Sequence, residues 1–393
     1  MCEQEVGPSK MNAKRFRNSL EGTLAHYVGT EYAVGTSMGR TALLALLKSL
    51  DLSGGEVIVP GYTCEVVPNA VLKAGGIPVF VDTNEDNYRI SLEHLNSLIT
   101  GRTKAIVVCH TFGHTEDFDQ IASIASGSND KICLIEDAAH ALGAEYHGKR
   151  VGGLGNAAIL SFTKNMVGLG GGAVVTNDPS LATRVRHIVD LTEHSSARNA
   201  LFFGALSFLD TRRAVSTTGN KLMETLNRLP NLFSSISEDY FSTMKTPGDM
   251  SMARIQAGFT AFQLGRLDHL NEWRNRNRRI LDALLGSTEN IDVGGPDEDH
   301  TKPICIWYVM RTKGSGRRND FIVRCRKNRL FLSSFWDPLP IERYAYNTFQ
   351  TPADVPNARR LARKTLVFKM SHSLSRRKLE RVARIIEEAG GMI

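Results

Sequence analysis

The sequence predicts an α/β protein: a large, mostly parallel sheet covered by helices on both faces, followed by a smaller α+β domain. Up to about residue 191, short and continuously apolar runs alternate with segments of helical periodicity. Strands buried on both faces are apolar throughout, and alternation with helices is typical of parallel sheets. After residue 250, one long helical segment precedes a further mixture of strands and helices.

The first 192 residues contain the elements of the large sheet. Strands are predicted over residues 57–60, 78–82, 105–110, 132–135, 157–162 and 173–176. Helices are predicted over residues 11–30, 40–50, 65–73, 92–98, 118–125 and 181–191. Ligands of such sheets bind at the carboxyl ends of the strands, so functional side chains are expected there.

The remainder of the chain divides into an irregular stretch and a second domain. Residues 193–249 mix apolar patches with polar and basic residues; helices packed on the large domain are favoured over a substrate-facing insertion or a dimer arm. A helix is predicted from Ala253 to Leu285, strands over 303–311 and 330–333, and a closing helix from Arg376 to Ala389. The predicted domains are therefore residues 1–250 and 251–393.

Composition places the chain among globular proteins of a reducing compartment. Its 393 residues are 42% hydrophobic and 23% charged, as in ordinary folded domains. The six cysteines are scattered without a CxxC pattern, which is typical of small buried side chains rather than disulfides. The N-terminus resembles no signal peptide, and no apolar run approaches the roughly 20 residues of a membrane span. We therefore predict a cytoplasmic protein without a membrane partner.

The net charge of +7 is concentrated in basic clusters at residues 274–279, 324–329 and 359–364. Solvated helix faces are the preferred interpretation of these clusters, and attraction of an anionic small substrate is the second. No aromatic-rich or zinc-finger pattern accompanies them, so a nucleic-acid partner is not expected.

An acid and a lysine follow two of the apolar strands. Asp137 lies two residues after the predicted strand 132–135, and Lys164 lies two residues after the predicted strand 157–162. A lysine amine can form an imine with an aldehyde, and a carboxylate can keep a pyridine nitrogen protonated. This pair therefore predicts pyridoxal 5'-phosphate as cofactor, although a surface lysine and a helix-capping aspartate are the ordinary alternatives.

Further polar residues and glycines surround the pair in the sequence. Gly39 precedes a predicted helix, which is a phosphate-binding geometry, and Ser161 offers a hydroxyl three residues before Lys164. His140 either belongs to the core or meets the phenolic oxygen of the cofactor; both remain open. The glycines at 152–155 and 168–172 do not form a dinucleotide motif. The HxxxH spacing of His110 and His114 contains Gly113, so no metal is expected.

The chain resembles the DegT/DnrJ/StrS-type sugar aminotransferases, which have the pyridoxal-phosphate-dependent fold type I architecture of aspartate aminotransferase. The matching pieces occur in order along most of the chain. They are Gly39 with 41–43, 55–60, 76–82, 103–106 with His110 and Gly113, 136–144, 161–162 with 164–165, 171–177, 256–257 with 263–264 and 266–268, and 371–375.

The resemblance implies a role for each matching residue. Lys164 would hold the cofactor covalently and move protons, and Asp137 would pair with the pyridine nitrogen. Ser161 and the backbone of Gly39 and Arg40 would bind the phosphate, and His140 would lie near the cofactor oxygen. Such enzymes are usually homodimers with sites at the interface.

Three positions depart from the family pattern. Met38-Gly39-Arg40 stands in place of Ser-Gly-Thr, so an arginine replaces one phosphate hydroxyl. Cys64 aligns with the aromatic residue that stacks on the cofactor ring, with Tyr62 nearby. Asp249-Met250-Ser251, before Met252, stands where the family carries a partner-subunit Asn-Tyr-Arg, so that contact is expected to differ.

The predicted activity is transfer of an amino group from an amino acid donor to a keto sugar, which is expected to be nucleotide-linked. One alternative is another fold type I reaction on an amino acid, either an aldol-type cleavage or a decarboxylation. The other is a regulatory protein that retains the fold without catalysis.

Overall fold

The computed structural model of the chain describes residues 8–127, 132–166, 169–192, 250–286, 290–293, 295, 299–314, 317–336, 339–344, 354–370 and 374–391. The predictions made for residues 193–249, including Asp249, lie outside these described residues. So does most of the 371–375 segment.

Thirteen strands occur in the described residues and form three sheets. They are β1 (Tyr32–Thr36), β2 (Glu56–Pro60), β3 (Ile77–Val81), β4 (Thr103–Cys109), β5 (Cys133–Asp137), β6 (Glu145–Tyr146), β7 (Lys149–Arg150), β8 (Ala157–Ser161), β9 (Gly172–Thr176), β10 (Ile291–Val293), β11 (Thr301–Lys302), β12 (Trp307–Thr312) and β13 (Thr365–Lys369).

The main sheet has seven strands in the order β1-β9-β8-β5-β4-β2-β3. Strands β3, β2, β4, β5 and β8 run parallel, and β9 is antiparallel to both of its neighbours. Side chains alternate between two cores: Val57 and Val59 lie in one apolar cluster, whereas Ile58 lies in another on the opposite face. The sheet is therefore covered on both sides, which confirms the predicted α/β class.

Helices cover the sheet and lead to the C-terminal part. They span Pro8–Val28, Gly39–Ser49, Val66–Lys73, Leu92–Leu98, Phe118–Gly127, Phe162–Asn165, Pro179–Asp190, Arg254–Leu264, Leu267–Leu285, Arg318–Lys327, Pro340–Tyr344, Pro356–Lys364 and Arg376–Gly391, with one 3-10 turn at Thr111–Gly113. None of the helices in these ranges is both long enough and apolar enough to cross a lipid bilayer.

A second, antiparallel sheet with the order β10-β12-β13 belongs to the C-terminal part. It packs on an apolar cluster of its own, which contains Phe321, Phe368 and Ile386. Strands β11, β6 and β7 form a third small sheet that joins residues 301–302 to residues 145–146. The domain division at residue 250 stays a prediction.

Several predicted elements differ from the structure. Residues 330–333 are not a strand: the chain leaves its helix with Arg329 at φ 63°, and Ser333 makes only an isolated bridge to Val367 of β13. The helix predicted over 253–285 is two helices, because the first ends at Leu264 and Gly265 caps it. Six strands were not predicted, namely β1, β6, β7, β10, β11 and β13.

Candidate active site

The carboxyl ends of the parallel strands open into one pocket, and the seven predicted site residues all line it. They are Gly39, Arg40, Cys64, Asp137, His140, Ser161 and Lys164. The segments after β2, β4, β5 and β8 each contribute to the wall because parallel strands end at the same edge of a sheet. The tertiary structure thus brings together residues that are up to 125 positions apart in the chain (from Gly39 to Lys164).

Lys164 lies on the short helical turn that follows β8. The next residue, Asn165, donates hydrogen bonds from Nδ2 to the carbonyl oxygens of Ala139 (2.8 Å) and Ser161 (3.1 Å). The lysine-bearing turn is therefore tied to the turn that follows Asp137. Burial raises the pKa of the Cys64 thiol, and the positive charge of Lys164 opposes this rise; the same charge opposes the rise in the pKa of Asp137 and adds to the lowering at His140.

Asp137 is the last residue of β5, between Cys109 of β4 and Ile159 of β8. Burial raises the pKa of its carboxyl group, and the hydrogen bond from Ala139, His110 and Lys164 oppose this rise. The helix-capping alternative for Asp137 is wrong, because residues 138–143 form turns rather than a helix. Its Oδ1 instead accepts a hydrogen bond from the backbone N–H of Ala139 at 2.9 Å, which holds the carboxylate at the pocket floor.

His140 is buried at the side of the pocket and presents a neutral ring. Its Nδ1 accepts a hydrogen bond from the backbone N–H of Phe112 at 3.3 Å, so the ring proton resides on Nε2. Burial lowers the pKa of His140 to about 3, and the charge of Lys164 lowers it further. His140 is therefore an uncharged hydrogen-bond donor at neutral pH. Its ring also lies nearly parallel to those of Phe112 and Trp336, so the buried-histidine alternative describes its surroundings, and contact with a cofactor oxygen stays a prediction.

Gly39, Ser161 and Thr163 lie together and form a polar cradle at the pocket. Gly39 is the first residue of a helix whose first intrahelical bond runs from the N–H of Ala42 to the carbonyl of Met38 (3.1 Å). Backbone N–H groups at such a terminus attract phosphate. The hydroxyls of Ser161 and Thr163 lie 3.2 Å apart beside it. Thr163 was missed because a single threonine between Phe162 and Lys164 carries no distinctive signal.

The backbone around this cradle is crowded. A Cβ at Gly39 would lie 2.8 Å from Ser161 Cβ, and a Cβ at Gly172 would lie 2.5 Å from the nitrogen of Gly39. These glycines therefore let three chain segments meet at one place.

Gln256 holds these segments together. The residue is buried, with only 1% of its surface exposed. Its Nε2 donates to the carbonyl oxygens of Leu169 (2.8 Å) and Ser37 (3.3 Å), and its Oε1 accepts from the N–H of Ala253 (2.9 Å). The segment before Gly39 and the segment after Lys164 are thereby fixed to the same side chain.

A buried pair, His110 and Glu136, supports the wall behind Asp137. His110 Nδ1 accepts from the N–H of Glu116 (3.2 Å), so its Nε2 donates to Glu136 Oε2 (3.2 Å). The Glu136 carboxylate also accepts from the N–H groups of Gly152, Leu154 and Gly155. The Nε2 of His110 is thus hydrogen-bonded to a carboxylate. Among the described residues, no group of three or more His, Cys, Asp or Glu is arranged to hold a metal ion.

The interpretation of the first basic cluster, residues 274–279, as a solvated helix face is wrong for Arg274. Its Nη2 donates to the carbonyl of Asn165 at 2.7 Å, directly beside Lys164. Burial lowers the pKa of Arg274 to about 10, and Arg278 is buried as well. Arg276 and Arg279 are the solvated members of the cluster.

A model of the DegT/DnrJ/EryC1/StrS aminotransferase family matches residues 9–387, which is nearly the whole chain. The chain belongs to this family. The resemblance inferred from the ordered sequence pieces is thereby confirmed.

Two curated relatives illustrate the range of similarity within the family. The dTDP-3-amino-3,6-dideoxy-alpha-D-galactopyranose transaminase of Aneurinibacillus thermoaerophilus is 40% identical over 201 residues, which cover 50% of this chain and 54% of the relative. The chain thus spans about half the length of that relative. The spore coat polysaccharide biosynthesis protein SpsC of Bacillus subtilis is 27% identical over 364 residues, 91% of this chain and 85% of the relative.

A solved structure shares the architecture over nearly the whole of this chain. The crystal structure of S. venezuelae DesV, in complex with a ketimine intermediate, superposes with a TM-score of 0.74 at 26% identity. The superposition covers 99% of this chain and 91% of DesV. The predicted fold type I architecture is confirmed by this agreement.

Proposed function

We propose that the protein is a pyridoxal-phosphate-dependent aminotransferase that moves an amino group from an amino acid donor to a nucleotide-linked keto sugar. The observation that carries this proposal is the meeting of Lys164 and Asp137 in one pocket beside an anion cradle. When bound, pyridoxal phosphate supplies an aldehyde that condenses with amines and a ring that delocalises electrons from the neighbouring carbon.

The residues present fit this cofactor. The helix terminus at Gly39, with Arg40 and the hydroxyls of Ser161 and Thr163, would bind its phosphate. Asp137 would hold a proton on the pyridine nitrogen, because a carboxylate at the pocket floor favours the protonated base. The Nε2–H of His140 would donate to the phenolic oxygen. The half-buried Cys64 would face the ring where relatives carry an aromatic residue.

Lys164 would carry out the proton transfers. Its amine would bind the cofactor in the resting enzyme, then take the α-proton of the amino donor and return a proton to the cofactor side. The Asn165 bonds to Ala139 and Ser161 would keep Nζ directed into the pocket during both transfers. Glutamate as donor is an expectation from the family alone.

A keto sugar is the proposed acceptor because the Aneurinibacillus relative is named for a dTDP-linked amino sugar. A cytoplasmic location is proposed because the five cysteines in the described ranges are free thiols, and two of them, Cys64 and Cys109, line the pocket. The proposed partners are the small-molecule substrates and a second copy of the chain.

The proposed second copy would bind at the helix Arg254–Leu264. Its outer face exposes Ile255, Phe259 and Phe262, which are 38%, 36% and 58% accessible. These positions recur at helical spacing and form an apolar stripe. The inner side of the same helix carries Gln256, so a partner bound to the stripe would lie close to the cradle.

Borohydride reduction followed by peptide mapping tests the proposal. The reduced protein should carry a pyridoxyl mass on the peptide that contains Lys164, and Lys164→Ala should lose it while Lys149→Ala, an exposed control, keeps it. A label on another lysine would refute the assignment of Lys164. Binding without any label would favour the regulatory alternative.

A second measurement separates the aminotransferase from the other fold type I reactions. The purified protein, mixed with L-glutamate, should convert its cofactor to the pyridoxamine form and release 2-oxoglutarate. Release of carbon dioxide or an aldehyde from amino acids, without that conversion, would favour decarboxylation or aldol-type cleavage instead.

A further inference from the structure

Trp336 is the one residue from the C-terminal part of the chain that lines the pocket within the described ranges. Every other described residue of the pocket wall comes from the segment Met38 to Lys164. The C-terminal part therefore contributes an indole ring, with a large apolar face, to a pocket that otherwise carries the groups for the cofactor. A ring supplied from a separate structural layer is suited to a substrate rather than to the cofactor.

The segment that carries Trp336 is anchored on both sides. Ser333 exchanges two backbone hydrogen bonds with Val367 of β13, at 3.1 and 2.8 Å. Tyr62 Oη, from the loop after β2, donates to the carbonyl of Phe335 at 3.3 Å. The indole is thus held by the second sheet and by the main pocket wall together.

The Trp336 backbone has a φ of 51°, a conformation that bulky residues rarely adopt. Such strained residues persist where their surroundings fix them, and they concentrate at functional sites. Here the fixing contacts are aromatic. The indole lies nearly parallel to His140 (5.8 Å between centroids, 6°) and to Phe112 (5.9 Å, 15°), and edge-on to Tyr62 (5.1 Å).

We propose that Trp336 is the specificity-determining residue for the acceptor, and that the sugar ring of the keto substrate stacks on its pocket-facing surface. The inference rests on the proposed aminotransferase function. A pyranose presents a flat face of C–H groups, which buries well against an aromatic ring. An amino acid donor is short and charged and has no such face. Trp336 should therefore act on the acceptor half-reaction and leave the donor half-reaction unchanged.

The test compares the two half-reactions in Trp336→Ala and Trp336→Phe. L-Glutamate serves as donor, and the dTDP-linked 3-keto-6-deoxygalactose that corresponds to the amino sugar of the Aneurinibacillus relative serves as acceptor. Trp336→Ala should lower kcat/KM for the keto sugar roughly ten- to hundredfold, mainly through KM. Trp336→Phe, which keeps an aromatic face, should retain most of the activity, and neither variant should change the donor half-reaction more than about twofold.

Binding measurements supply a readout that does not depend on turnover. The dissociation constant of pyridoxal phosphate should be the same in wild type and Trp336→Ala, whereas the melting temperature of the cofactor-free protein should fall in the variant because the indole packs against His140, Phe112 and Tyr62. Calorimetric binding of the dTDP-amino sugar should weaken in the variant. Trp273→Phe, on a helix outside the pocket, controls for loss of a tryptophan.

The outcomes distinguish the inference from the function on which it rests. Equal losses in both half-reactions, or a weaker cofactor complex, would overturn it in favour of a structural role for Trp336. If dTDP alone lost as much affinity as the amino sugar, the stacked group would be the base, and the sugar assignment would be wrong. A wild-type protein without a donor half-reaction would refute the proposed function, and the inference with it.

Discussion

Gly39 packs directly against Ser161, so the position has no room for a side chain. An added Cβ would lie 2.8 Å from Ser161 Cβ, 3.2 Å from Ser161 Oγ and 3.3 Å from the carbonyl oxygen of Leu160. The contact joins the start of a helix to the end of β8. It thereby sets the distance between the backbone N–H groups and the hydroxyls of the proposed phosphate cradle.

Gly39→Ala should therefore widen the cradle and weaken cofactor binding. We expect the dissociation constant of pyridoxal phosphate to rise roughly ten- to hundredfold, because a small misplacement of binding groups costs this much. Fluorescence titration of the cofactor-free protein measures the change. Gly22→Ala is the matched control, since an added Cβ there meets nothing within 4 Å. Equal affinity in Gly39→Ala and wild type would exclude Gly39 from the phosphate site.

Asp137→Asn should abolish most activity without disturbing the turn that follows β5. The asparagine Oδ1 can still accept the hydrogen bond from Ala139, but it lacks the charge that favours a protonated pyridine nitrogen. We expect kcat to fall about 10²- to 10⁴-fold. Steady-state kinetics at matched cofactor content measures this fall. Asp119→Asn, at an exposed position on a helix, is the control, and a variant that keeps wild-type kcat would contradict the role of Asp137.

Gln256→Leu should loosen both walls of the cradle at once. The Leu169 carbonyl would lose its Gln256 donor, while Ser37 would keep the hydrogen bond from the N–H of Gly171 at 2.7 Å. Leaving a buried acceptor unpaired costs about 1–3 kcal/mol. We expect a lower urea midpoint and a several-fold weaker cofactor complex. Gln120→Leu, on an exposed helix surface, should change neither quantity; identical effects of both substitutions would refute the proposed support by Gln256.

Glu116 should make stability fall as the pH rises. Burial raises the pKa of its carboxyl group from 4.5 to about 8. Between these values the folded protein keeps a proton that the unfolded chain has released, so unfolding releases a proton and stability decreases with pH. The stabilising contribution of Glu116 to the free energy of unfolding is fully present below pH 4.5 and is lost as the pH rises through about 8.

Glu116→Gln removes this titration while the side-chain oxygen can still accept from the N–H of Ile90. Relative to wild type, the variant should gain several kcal/mol of unfolding free energy between about pH 5 and about pH 9. Urea unfolding at the two pH values measures the change. A constant difference between the two proteins across this range would show that Glu116 does not hold its proton.

The double substitution Phe259→Glu and Phe262→Glu should produce a monomer. Both rings are exposed on the helix Arg254–Leu264, and two charges would oppose burial against a second copy. Sedimentation velocity measures the mass, and cofactor affinity shows whether the partner supports the site. Val323→Glu replaces an apolar residue that is 51% exposed on another helix and should leave the mass unchanged. A double variant with the wild-type mass would place any interface elsewhere.

Most of the large sheet and the core of the site were predictable because their signals are local. Continuous apolar runs marked β2, β4, β5 and β8. Asp137 and Lys164 could be placed at strand ends from those runs alone. The antiparallel β1 was missed because it is short and interrupted by Gly35. Strand β13 follows directly on a basic helix, which hid its apolar character.

The sequence by itself determined the α/β class, the positions of the parallel strands along the chain and the residue types available to a cofactor. The strands could be located because strands buried on both faces must be apolar. Tertiary structure alone decided how these residues meet. Trp336 reaches the pocket from 172 positions beyond Lys164 (336 − 164), and Gln256, 92 positions beyond it (256 − 164), holds the segments of Ser37 and Leu169 together. Contacts at such separations depend on chain crossings that no local pattern records, since their energy comes from packing between elements rather than within them.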